Sequence, residues 1–99
     1  MNPMQQMLAQ AQRMQRELDK AREALAEKDF TIAKGGMVEV TMKGDRSIAA
    51  IKIEPEALDA DNKEMLEETL AMAINELMDQ VNDELDAVEE KVTGRKGIF

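Results

Sequence analysis

Residues 30–53 most constrain what this chain can fold into, because they read as three short strands joined by tight turns. Phe30 and Ile32 alternate with Thr31 and Ala33, so Asp29–Lys34 fits a first strand. Gly35-Gly36 supplies a turn, since glycine tolerates the positive φ of a two-residue hairpin. Val38, Val40 and Met42 alternate with Met37, Glu39 and Thr41, which gives a second strand one buried face and one more polar face. Lys43-Gly44-Asp45-Arg46 is a second turn. Ala49, Ile51 and Ile53 are the expected apolar face of a third strand, and Pro55 ends it because proline has no N–H for the ladder. Each hairpin reverses the chain, so three strands leave the flanking segments at opposite ends of the sheet. The segment after the sheet must therefore cross it to reach the side from which the first one projects.

Both flanking segments read as long helices. Pro3 suits a first helical turn and Asn2 an N-cap. Met4, Met7, Ala11, Met14, Leu18, Ala21 and Leu25 follow in steps of three and four, a heptad seam that ends at Lys28. This is the packing face for a partner helix. Opposite it, Arg13, Arg16 and Lys20 form one stripe, with Arg22 to one side and Glu23 and Glu27 continuing with the opposite sign. The stripe has two readings, a solvated face with ion pairs such as Asp19 with Arg16, or a local anion-binding surface. After a connector, Asp61 and Glu64 have the spacing of a capping box, with Asp59 as an alternative cap one turn earlier. The apolar face of the second helix is broad from Met65 to Val81 and narrow at Leu85, Val88 and Val92, so its first half suits the sheet and its second half a neighbouring helix. Gly94 is a natural stop. Arg95 and Lys96 are either a phosphate contact or cations suited to the negative end of the helix dipole.

The expected fold class is α+β, a long helix, a three-stranded antiparallel sheet and a long helix. The 99 residues make one domain, with 1–28 helical, 29–54 the sheet, 59–93 helical and 94–99 a tail. Two phenylalanines are the only aromatic residues, and a core of Met, Ala, Leu, Ile and Val this small leaves apolar helix faces in water. We therefore expect a homodimer.

Charge and residue usage exclude several functions. Residues 1–53 carry nine Lys/Arg against seven Asp/Glu, and residues 54–99 carry four against fourteen, within a net charge of −8. Such a protein does not coat nucleic acid by bulk charge, so any nucleic-acid surface is local, in the first half or at the extreme C-terminus. The chain has no cysteine and no histidine, which removes disulfides, the usual zinc sites, a thiol nucleophile and an imidazole base. The one serine, Ser47, sits at a turn with no assignable base. We expect no catalytic residues, no metal, no cofactor and no small-molecule substrate. Met1–Gln10 lacks the basic and unbroken apolar runs of a secretion signal, and no stretch is long enough to span a bilayer, so a cytoplasmic location without membrane association is expected.

The order of elements and their local sequences resemble the YbaB/EbfC family of bacterial nucleoid-associated proteins. Met4-Gln5-Gln6-Met7 with Ala9-Gln10-Ala11-Gln12-Arg13-Met14-Gln15 is similar to that family's first helix. Gly36-Met37-Val38-Glu39-Val40-Thr41-Met42-Lys43-Gly44 resembles its central strand, and Ile51-Lys52-Ile53-Glu54-Pro55-Glu56 its third strand and exit. Asp61, Glu64-Met65-Leu66-Glu67-Glu68 and Ala73-Ile74-Asn75-Glu76 resemble its last helix. The resemblance implies a homodimer with protruding helical arms that binds double-stranded DNA with low or modest sequence preference and acts in the nucleoid. It defines no base-reading residue to carry over. The candidate DNA contacts remain Arg13, Arg16, Lys20 and Arg22 on the first helix, with Arg95 and Lys96 in the tail, all suited to phosphates. The rival readings are a prefoldin-like clamp that binds proteins through its methionines and a purely structural oligomer.

Overall fold

The computed structural model describes residues 2–94. Helix α1 (Pro3–Glu27) leads into strands β1 (Asp29–Lys34), β2 (Val38–Lys43) and β3 (Ile48–Ile53). Two 3₁₀ turns, Pro55–Leu58 and Ala60–Asn62, then lead into helix α2 (Lys63–Thr93). The strands form an antiparallel sheet in the order β1-β2-β3, so the α+β architecture expected from the sequence is present.

Local chemistry sets the element ends. Asn2 accepts a hydrogen bond from the Gln5 backbone at 2.8 Å, and the Gln5 side chain reaches back to the Asn2 N–H at 3.4 Å, which satisfies two orphan donors of α1. Gly35 and Gly36 both take positive φ, and Met37 N–H closes their turn on the Lys34 carbonyl at 3.0 Å. Met37 is left over before the first strand pair, Lys34 opposite Val38, so three residues separate the strands instead of two. Gly94, at φ 75°, donates to the Glu90 carbonyl at 2.7 Å and ends α2 where the sequence places the stop.

Two expectations need correction. A bulge between Thr41 and Met42 sets Ile48, not Ala49, opposite Met42, so the β3 residues facing the β2 core positions are Ile48, Ile51 and Ile53. Nor does Asp61 start the second helix. The Asp59 side chain takes the Asp61 N–H at 3.0 Å, and the chain winds one 3₁₀ turn before α2 begins at Lys63. Asn62 stands at the cap with no side-chain bond to the helix, its amide donating instead to the Glu56 carbonyl at 3.3 Å. Asp61 lies inside that turn and lacks the extended backbone an N-cap needs.

The core lies between one sheet face and the first half of α2. Val38, Val40 and Met42 pack against Ala73, Leu77 and Val81, a stripe four residues apart on the helix. Phe30, Ile32, Leu66, Leu70, Ile74 and Met78 surround them. A Lys34–Glu76 ion pair fastens the same helix to β1. Helix α2 thus crosses the sheet, as the strand count requires, and then runs on beside α1. It covers β1 and β2, which leaves Ile48, Ile51 and Ile53 of β3 36–46% exposed.

The hairpin between β2 and β3 ties the sheet to the helical stem. Gly44 N–H donates to the Lys28 carbonyl at 2.9 Å. An added Cβ at Gly44 would sit 1.8 Å from the Leu25 carbonyl oxygen. Arg46 takes positive φ, unusual for a residue with a side chain, and its guanidinium donates to Asn82 Oδ1 at 2.5 Å. Asp45 accepts from the Ser47 hydroxyl at 2.5 Å and the Ser47 N–H at 2.8 Å, and these bonds hold its carboxyl below the ordinary carboxylate range.

Candidate DNA-binding arm

Helices α1 and α2 meet as an antiparallel stem. Lys28 pairs with Glu84 at 3.1 Å, and Arg22 approaches Glu89 at 3.6 Å, so residue numbers rise on one helix as they fall on the other. The same spacing brings Thr93, the last residue of α2, level with Leu18. Leu18 and Leu25 are the buried residues of α1. Toward the N-terminus, Met4, Met7, Leu8 and Met14 are exposed. The expected seam therefore exists, but only its second half has a partner within the described chain. The first half projects as an arm of about 15 residues, or about 22 Å. The molecule is correspondingly drawn out, 71 × 19 × 13 Å.

The arm and its root carry the candidate cations. Arg13, Arg16 and Lys20 are exposed, and among the described residues they make no ion pair or hydrogen bond. The anticipated pairing of Asp19 with Arg16 does not form, and Asp19 instead accepts from Gln15 Nε2 at 3.0 Å. No acid precedes Glu17, so the first turns of the arm present Arg13 and Arg16 among glutamines and alanines. Their charges stand clear of the acidic second helix, a condition for attracting an anion to one place on a protein of net charge −8.

Arg22 is placed differently. It lies four residues after Leu18 and three before Leu25, on the seam side of α1 and about 160° round the helix from Lys20. Its guanidinium is half-buried against Glu89, whose side chain is 6% exposed. The heptad arithmetic contained this signal, since a residue between two core leucines at those spacings must face the neighbouring helix. Arg95 and Lys96 lie outside the described residues. Glu89 carries the same signal, four residues after Leu85 and three before Val92. Which residues of α2 Lys28 and Arg46 would meet is not readable in this way, because the helix offers many acids and amides.

Among the described residues no group of acidic side chains is arranged to hold a metal ion, and no helix is long and apolar enough to cross a membrane. Comparison with known proteins gives one consistent result. A nucleoid-associated protein of Agathobacter rectalis is 38% identical over 95 residues, covering 95% of this chain and 84% of the relative. One from Acetivibrio thermocellus is 37% identical over 92 residues, covering 92% and 81%. One from Enterococcus faecalis is 36% identical over 94 residues, covering 94% and 90%. The profile of the YbaB/EbfC DNA-binding family matches residues 1–96. That family is one of DNA-binding proteins and not of enzymes. With its first helix, three-stranded sheet and last helix all inside the matched span, the chain belongs to the YbaB/EbfC DNA-binding family.

Proposed function

We propose that two copies of this chain form a dimer that binds duplex DNA through phosphate contacts from the α1 arms, with low or modest sequence preference. The observation that carries the reading is the cluster Arg13, Arg16 and Lys20, exposed and without ion pairs among the described residues of an acidic protein. Arg95 and Lys96 add cations near the end of α2. Phosphate contacts of this kind fix orientation without reading bases. The acidic second helix repels DNA from other approaches and so leaves the arm as the favoured one. The relatives' name, nucleoid-associated protein, supports placing it at the nucleoid; the role that goes with this reading is to organise DNA or modulate expression in the cytoplasm.

Fluorescence-anisotropy titration of a random-sequence duplex at several salt concentrations tests this reading. The three α1 contacts per chain in a dimer predict a slope of log K against log salt near −5, from about −0.9 per phosphate, and contacts from Arg95 and Lys96 would steepen it. No binding at about 50 mM salt would defeat the reading. It would leave the exposed Met4, Met7, Leu8 and Met14 as the working face of the arm, which suits a clamp for proteins.

The dimer contact is assigned to β3. Its outer edge is unpaired among the described residues, and Ile48, Ile51 and Ile53 lie beyond the cover of α2, a side and a face that a second copy would close. Ile51→Glu is expected to yield a folded monomer by sedimentation equilibrium, with helix content unchanged. A dimer that persists in this variant would remove β3 from the interface.

A further inference from the structure

Glu89 is the buried charged residue of the described chain, and its position is more telling than its pairing. It lies four residues after Leu85 and three before Val92, inside the narrow apolar face of α2, as Arg22 lies between Leu18 and Leu25 on α1. Both members of the pair thus occupy the seam, at the last ion pair, among the described residues, before α1 leaves its neighbour. On the other flank the seam is thin. Ala24, about 160° round the helix from Arg22, joins Ala21, Leu25, Val88 and Val92 in lining an open groove of about 300 Å³, which the Lys28–Glu84 pair also lines. The small alanines add little interlocking there, so Leu18, Leu25 and the ion pairs are what resist sliding or rolling of one helix on the other. A charge pair in such a seam tolerates one register, because a slip of one helical turn moves the partners apart by about 5.4 Å. The best-attested use of buried polar pairs between helices is this choice of register.

We propose that Arg22 is a positioning residue: through Glu89 it fixes the register and rotation of α1 on α2, and so the presentation of Arg13, Arg16 and Lys20, without itself touching a phosphate. The assignment rests on the DNA-binding reading above and moves Arg22 from the contact set to its support.

Two variants test it, each measured for duplex affinity across a salt series and, without DNA, for amide hydrogen exchange. Glu89→Gln keeps the arginine and removes its anchor. Weaker binding by several-fold at an unchanged salt slope, with faster exchange along α1, is expected. If Arg22 were a phosphate contact held back by Glu89, the same change would tighten binding and steepen the slope, which would overturn the proposal. Unaltered affinity together with unaltered exchange would overturn it as well. The second variant, Arg22→Met with Glu89→Leu, fills the seam with apolar volume, a replacement that buried ion pairs commonly tolerate. It is expected to keep the wild-type slope and the wild-type exchange rates along α1, whereas loss of one phosphate contact per chain would lower the slope by about two in a dimer. Should the wild-type protein fail to bind DNA at all, the functional reading falls by itself. The exchange data then still show whether the pair holds the arm.

Discussion

Reversing the charges of Arg13, Arg16 and Lys20 together to glutamate is expected to lower duplex affinity by about a thousandfold or more at 0.1 M salt. The dimer should survive. The size follows from counterion release. Each phosphate neutralised by a cation contributes about 0.9 to the salt slope, and a dimer loses six such cations at once. Reversal goes further than removal, because six new carboxylates then face the phosphates across a few ångströms. All three side chains are exposed and lack protein partners among the described residues, so their replacement leaves no buried group stranded. Sedimentation equilibrium checks the dimer and the salt series checks the contacts. Undiminished affinity in a folded dimer would take these residues out of the site.

The largest effect on stability is expected at Gly44. Its added Cβ would meet the Leu25 carbonyl oxygen at 1.8 Å, and that oxygen belongs to the backbone at the end of α1, where no rotamer can make way. The two segments must separate, which breaks the Gly44 N–H bond to Lys28 and loosens the junction between stem and sheet. Gly44→Ala should therefore cost about 3 kcal/mol, the upper range for overpacking. In a domain of this size that lowers the melting temperature by about 15 °C. Thermal unfolding followed by circular dichroism measures it directly. A shift of only a degree or two would mean that the hairpin moves aside freely and does not brace the stem.

What could be read in advance depended on whether the information was local. Alternation marked the three strands, and Asn2, Pro3 and Gly94 marked helix ends, because these signals act within a few residues. The crossing of the sheet by α2 was also legible, since chain reversal at each hairpin leaves no other route. The bulge at Thr41/Met42 was not, because it arises from pairing two strands whose sequences do not announce a mismatch. Asp61 misled for a related reason. Its spacing to Glu64 is that of a capping box, but Asp59 competes for its N–H and wins. At the site, the exposed stripe was visible from helical spacing, and the same spacing would have set Arg22 apart from it. The same spacing sets Glu89 apart between Leu85 and Val92, but its pairing with Arg22 was beyond reach, because the docking of the two helices decides which residues come level.

The bare half of α1 has a consequence for how this protein engages anything. About 15 residues is near the length below which a lone helix hardly persists in water. Here one end is closed by Asn2 and Gln5 and the other is rooted in the stem at Leu18, but the stretch between them draws no support from a core. Its order is thus borrowed from both ends. A surface laid along it supplies what the fold withholds, so binding along the arm also stabilises its helix. The reach of the protein and the stability of this helix are then linked.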